Sequence, residues 1–322
     1  MAAAYAHESR LTDWRAELGV ASGLVVLVIL WATAAPNFLT GTNLGLLLQQ
    51  TSVLMIVAVG QTFVILTGEI DLSVGSTMGL TTVAVAAMTV NLHLPLLAAV
   101  VVVLAGGVVV GLFIGILRVI WQVPSFITTL GLLSALQGTA FTISHGVTIA
   151  PTPVWLSTLW SGRLAGIPTP VWLMAVVVAA GVWVLRRTRY GRHLYAMGGN
   201  AEAARRYGID VRALRVSVFV IVQVLAVVGG LLYAAQLNSG NATVGQGMEL
   251  NVIAGVVVGG VRLFGGAGRP AGTVLGVLFI AVLSNGLTLL GVSSYLFLIA
   301  QGLVVIGAVW WSAVQRRDRQ AL

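Results

Sequence analysis

The 322-residue chain is 58 % hydrophobic and only 8 % charged, and its formal net charge of +8 comes from seventeen arginines against nine acids. A soluble domain carries about a quarter charged residues, so this is an integral membrane protein, and its positive balance has no polar domain in which to hold nucleic acid. There is no cysteine and no lysine, which excludes disulfides, thiolate chemistry, a P-loop lysine and a Schiff base; any ATP hydrolysis belongs to another chain.

The apolar stretches lack the alternation of a transmembrane β-barrel, and each is long enough for an α-helix to cross a bilayer. The expected class is therefore all-α, with about ten transmembrane helices. Residues 1–17 mix acids, bases and aromatics and lack the order of a cleaved signal peptide; they are expected to form a cytoplasmic N-terminal segment. A single transmembrane domain follows over 18–313, and 314–322 forms a cytoplasmic tail. The spans are placed at 18–35, 44–66, 74–90, 94–117, 124–143, 171–185, 214–236, 250–261, 271–290 and 295–313.

The arginines test this count. With both termini inside, Arg10, Arg15, Arg118, the eight between Arg186 and Arg215, Arg262, Arg269, Arg316, Arg317 and Arg319 all fall on the cytoplasmic side, and only Arg163 falls outside. Inserting or deleting one span would scramble that agreement with the positive-inside rule.

Along the chain, spans three and eight stand out. Each is short, interrupted by glycine and preceded by an acidic lead: TGEIDLSVGS at 67–76 and GQGMELNVIAG at 245–255. They lie five spans apart, which predicts an inverted five-plus-five repeat with short broken helices and a pathway near the midplane. Glu69, Asp71, Ser73, Glu249 and Asn251 are accordingly candidates for the pathway or its gate. An alternative places Asp71 or Ser73 as an N-cap and pairs Glu69 with an arginine elsewhere.

Gly107, Gly111 and Gly115 repeat every four residues, as do Gly75 with Gly79, Gly255 with Gly259, and Gly272 with Gly276; such faces let helices approach closely in lipid. The external 144–170 loop, rich in proline and tryptophan, reads as a connector, with Trp155, Trp160 and Trp172 at the outer interface. Gln223 and Asn285 are amides within spans, suited to interhelical hydrogen bonds first and to pathway lining second. Trp310 and Trp311 read as an inner-leaflet anchor. The four histidines are scattered and assemble no metal site, and no nucleophile–base pair suggests an enzyme.

The long loop 186–214 is the most informative stretch. Within it, GGNAEAARRYGID predicts a turn at Gly198, Gly199 and Asn200, then a short helix over 201–207 stopped by Gly208. Asn200 suits the N-cap and Glu202 the first turn, and Gly208 suits the C′ position. An arginine-rich surface facing anionic lipid accounts for the charge, but not for a small capped helix.

EAARRYG resembles the coupling loop of ATP-binding-cassette (ABC) importer permeases. GQTFVILTGEIDLSVGS at 60–76, YGRHLYAMGGNAEAARRYGI at 190–209 and VVVGGVRLFGGAGRPAGTVLG at 256–276 resemble, in order, the ribose- and xylose-type monosaccharide branch. The resemblance spans nearly the whole chain, with one departure: that family usually has glycine where this chain has Glu69. It implies a permease subunit of the bacterial inner membrane that carries a pentose or hexose and does no bond chemistry. By the same resemblance, Gly198, Gly199, Asn200, Glu202, Ala203, Ala204 and Gly208 couple it to a tandem-cassette ATPase, where ATP and Mg would bind. The implied partners are that ATPase, a second permease subunit, an extracytoplasmic sugar-binding protein and membrane lipids. A secondary transporter or channel with an ion site at Glu69 and Asp71, or a membrane scaffold, remains the alternative.

Overall fold

A computed structural model describes residues 2–293 without a break, then 296, 298–299, 302–303 and 306–307, with side chains from residue 17 onward. The tenth span, Trp310, Trp311 and the tail lie wholly or largely outside the described residues. The long helices are α1 (Ala2–Ala34), α2 (Gly41–Leu66), α4 (Leu96–Ile120), α5 (Ser125–Ser144), α7 (Thr169–Arg187), α10 (Val211–Leu237) and α12 (Pro270–Leu289). Two short helices, α3 (Val74–Ala86, prolonged by a π turn to Asn91) and α11 (Met248–Val258), complete the bundle. Among the described residues, eight helices are long and apolar enough to cross a membrane, counting α3 with its π turn, and α11 is shorter. Nine of the ten expected spans thus coincide with a helix, eight of them long enough to cross, and the protein is an all-α, multi-pass membrane protein.

Proline sets many of the boundaries. Pro95, Pro124 and Pro168 stand immediately before α4, α5 and α7, where a missing N–H costs nothing and the ring biases the preceding residue toward extended backbone. Thr40 caps α2 by accepting from the Asn43 N–H at 3.3 Å.

α10 is the axis, packing on α2, α3 and α4, while α11 and α12 pack on α2. Each short helix and its successor therefore cross to the long helix of the other half. Val53, Ile56, Val64, Val218, Phe219 and Val222 are fully buried where α2 and α10 meet. The glycine repeats fall at the closest approaches, as expected: a Cβ on Gly115 would sit 2.7 Å from Val216 Cα of α10, and one on Gly255 3.1 Å from Val277 Cα of α12.

Two expectations about the loops need correction. The 144–170 loop is more than a connector: it holds α6 (Val154–Ser161) and a hairpin of β1 (Arg163–Leu164) with β2 (Ile167–Pro168). Leu156 is fully buried, and Gln49 of α2 donates to Trp160 O at 2.7 Å. In the long loop, Gly198 and Gly199 are the last residues of a helix, α8 (Arg189–Gly199), rather than a turn. α8 arises because Gly191, Leu194 and Met197 recur on one face and are buried.

Candidate functional site

Both acidic leads re-enter the bundle before their helices begin. α10 serves as a depth gauge for the first: Glu69 lies against Arg215, whereas Asp71 and Ser73 lie against Gln223. Those two α10 positions are eight residues apart, about 12 Å of helix rise. The chain therefore leaves α2 at the end of the bundle where Arg118 and Arg215 lie, turns back inward and starts α3 deep in the bundle. α3 then runs outward, until Gly240 packs beside its last turn at Ala86.

The second lead makes the opposite journey. Its outer root is held by the Ile149–Gly240 bridge, with both N–H···O bonds at 2.9 Å, and by Asn241 N donating to Thr82 Oγ1 at 3.1 Å. It then passes Gly79 and Gly75 of α3 on the way to α11, whose following link returns to the end of α2 at Leu66. The two short helices start against each other: the nearest atoms to a Cβ on Gly75 would be Glu249 Oε2 and Gly245 O. Two positive helix ends thus face one central point, each with a carboxylate in its lead or first turn. Paired short helices of this kind occur at midplane sites in transporters built from inverted repeats.

A buried polar network stitches the first lead to α10. Asp71 Oδ1 accepts from Ser73 N at 2.8 Å and Ser73 Oγ at 2.7 Å, and its Oδ2 accepts from Gln223 Nε2 at 2.8 Å. Gln223 Nε2 also donates to Ser73 Oγ at 2.8 Å, and Thr77 Oγ1 donates to Gln223 Oε1 at 2.6 Å. Gln61 of α2 donates to Asp71 O at 3.2 Å. Neither Asp71 nor Ser73 caps α3 as an ordinary N-cap would: Ser73 makes no side-chain cap bond, and Asp71 reaches only the Ser73 N–H and hydroxyl.

Glu69, one step nearer the end of α2, is 4 % exposed and lies between two guanidiniums. Arg118 Nε donates to both carboxylate oxygens, at 2.8 and 3.0 Å, and Arg215 Nε lies 3.1 Å from Oε1. The triad ties the first lead to the last turn of α4 and the first turns of α10. Glu69 is therefore the partner of an arginine pair, as one reading of the sequence expected.

The arm between α7 and α10 is built from α8 and α9 (Ala201–Arg206). Asn200 Oδ1 accepts from Ala203 N at 2.9 Å, Glu202 pairs with Arg206 four residues on, and Ala204 is buried beneath. Gly208 ends α9 with φ +82°, and Ile209 N donates back to Ala204 O at 3.1 Å. Glu202, Arg205 and Gly208 face outward, and Tyr207 is 88 % exposed. Asp210 then caps α10, with Oδ1 accepting from Arg212 N and Ala213 N at 3.0 Å each.

The arm rests on a knot of backbone. Gly266 N donates to Leu66 O at 2.9 Å, and Gly198 lies against both atoms with no room for a side chain. Gly68, Gly265 and Gly266 all adopt positive φ there, a conformation glycine takes without steric cost. Tyr195 OH donates to Gly268 O at 2.9 Å, and Tyr190 OH lies 2.8 Å from Ser217 Oγ. One arm therefore touches the end of α2, the root of the first lead, the link after α11 and the start of α10.

Two further sequence candidates make local contacts. Asn285 forms a reciprocal amide pair with Asn43, both bonds 3.0 Å, holding α12 to α2. Asn251 donates to Met248 Sδ at 3.9 Å, and its Oδ1 is buried without a partner. Gln61, Thr77, Asp210, Gly266 and Tyr207 take their roles from the fold. Asp210 alone carries a sequence signal, an acid immediately before the apolar run of α10.

Comparison with known proteins places this architecture. The family described as branched-chain amino acid transport system / permease component matches residues 43–309. The chain belongs to this permease family. Among its relatives, the ribose import permease protein RbsC of Escherichia coli (strain K12) is 42 % identical over 300 residues, covering 92 % of this chain and 93 % of the relative. RbsC of Haemophilus influenzae (strain ATCC 51907 / DSM 11121 / KW20 / Rd) is 39 % identical over 290 residues, covering 89 % and 90 %. The xylose transport system permease protein XylH of E. coli (strain K12) is 32 % identical over 356 residues, covering 91 % and 90 %. The chain is thus a ribose/xylose-type ABC permease, a transport subunit, and the junction of short helices lies wholly inside the matched region.

Proposed function

We propose that this permease forms half of a dimeric path for a monosaccharide, a pentose or hexose, across the bacterial inner membrane. An extracytoplasmic binding protein delivers the sugar, and a separate tandem-cassette ATPase, holding ATP and Mg, drives the cycle. The observation that carries this reading is the arm: α9 is outward-facing, yet α8 is seated by Gly198 on the roots of the elements that frame the midplane junction. A push on α9 therefore reaches the first lead through Leu66–Glu69, α11 through Gly266, and α10 through Asp210 and Arg215. The sugar class rests on the names of the relatives.

In this mechanism Gly198, Asn200, Glu202, Ala203, Ala204 and Gly208 build and seat the coupling helix. Gly199 flanks it with open space around its Cα. Asp71, Ser73 and Gln223 hold the first lead to α10, and Glu249 marks the second. Two packings of one rigid arm, biased by the nucleotide state of the partner, supply alternating access. Engagement of Glu69 by two arginines weighs against an ion site that needs it free.

The test is sugar uptake into proteoliposomes containing permease, ATPase and binding protein, each omitted in turn. Uptake should require all three with ATP inside the partner's reach. Uptake by the permease alone under an ion gradient would overturn the reading.

A further inference from the structure

Four guanidiniums crowd the elbow where α7 passes into α8. Arg186, Arg187, Arg189 and Arg192 lie within seven residues, and all are exposed. Among the described residues no carboxylate pairs with them. Glu17, Glu69 and Glu202 are committed to Arg269, to Arg118 with Arg215, and to Arg206. Trp183, 62 % exposed, stands one turn before Arg186 and Arg187.

A second feature lies directly above. α7 and α12 both pack on α2 and leave between them a shallow, half-open surface groove. Its walls include Val59 and Phe63 of α2, Val178 and Val182 of α7, and Val274 of α12. Positions 178, 182 and 186 repeat every four residues, so Arg186 continues the lining stripe of α7 one turn toward the cytoplasm. An apolar slot thus ends at a cluster of cations.

We infer that this is a binding site for an anionic phospholipid, with an acyl chain along the α7–α12 cleft and its phosphate among Arg186, Arg187, Arg189 and Arg192. The guanidinium fork matches phosphate oxygens, and basic clusters at the cytoplasmic ends of spans attract anionic headgroups. A tryptophan at this level suits the headgroup region. Because the elbow carries α8 and α9, bound lipid braces the arm at its base.

Native mass spectrometry of the full-length permease, offered equal phosphatidylglycerol and phosphatidylcholine, tests the site. The parent protein should retain phosphatidylglycerol preferentially, and R186Q/R187Q should lower that preference by roughly tenfold or more. R186K/R187K, which keeps the charge and the inward bias of the loop, should retain most of it. V178W fills the cleft without touching a charge and should also lower retention. Equal retention by all variants overturns the inference. Loss with R186Q/R187Q but not with V178W also overturns it, because charge attraction alone would then suffice. So does displacement of the lipid by millimolar glycerol phosphate, which would mark a site for soluble phosphate.

Discussion

Replacing Gly198 by alanine should unseat the coupling arm, while the same change one residue later should not. The three atoms nearest to a Cβ on Gly198 are Leu66 O, Gly266 N and Leu66 C, all of them backbone. No side chain can swing aside, so the arm must lift or the Gly266 N–Leu66 O bond of 2.9 Å must break. Overpacking costs about 1–3 kcal/mol and a lost hydrogen bond about 1 kcal/mol. A total of about 2–4 kcal/mol changes the ratio of seated to lifted arm by roughly 30- to 1000-fold. Gly199 has nothing within 4 Å of its Cβ position and ends the same helix, so Gly199→Ala costs nothing sterically and gains some helix propensity. The assay is sugar transported per ATP hydrolysed in the reconstituted importer, with membrane insertion checked in parallel. Gly198→Ala should lose transport by tenfold or more with normal insertion, and Gly199→Ala should behave as the parent. Full coupling in Gly198→Ala, or equal damage from both, would refute the seat.

Three further outcomes follow from the same contacts. Gly208→Val places a β-branched residue at φ +82° with no neighbouring atom within 4 Å. Backbone strain of about 1–3 kcal/mol should uncouple ATPase activity from transport with insertion unchanged, and normal coupling would remove Gly208 from the coupling helix. Glu69→Gln leaves Arg118 and Arg215, about three-quarters buried, facing each other without a counter-charge; a loss of about 1–3 kcal/mol, discounted for partial screening, should lower the unfolding temperature in detergent. An unchanged temperature would show that the triad carries no stability. Gln223→Leu removes the partner of Asp71 Oδ2 and of Thr77 Oγ1 in a buried network. A cost of about 2–4 kcal/mol should slow transport more than it weakens ATPase binding, and equal transport would exclude Gln223 from the moving core.

Much of this architecture is legible in the sequence because membrane helices obey few rules. The apolar runs mark the spans, and the four-residue glycine spacing marks where α4 meets α10 and α11 meets α12. Asn200 and Gly208 announce α9 through local capping chemistry alone. Other features are not local. Gln223 and Asp71 lie more than 150 residues apart, so their bond is invisible until the fold joins α10 to the first lead. Gly198 looks like a turn residue because its need for glycine comes from Leu66 and Gly266, distant in the chain. α8 is hard to read from sequence because arginines on its outer face mask a narrow apolar stripe of Leu194 and Met197. The re-entry of both leads was legible only as a pair of short, acid-led spans; contact between Gly75 and the second lead turns that pattern into geometry.

The central claim is that α9 is gripped by a partner ATPase. The chain has no cysteine, so Tyr207→Cys introduces a single thiol at a site that is 88 % exposed on the cytoplasmic arm. A thiol-reactive photo-crosslinker attached there, activated in native membranes, would be followed by mass spectrometry of the crosslinked product. A two-cassette ATPase joined at residue 207, with the yield changing on addition of ATP, is the expected result. Crosslinks to lipid alone, with the ATPase present and the arm intact, would contradict it.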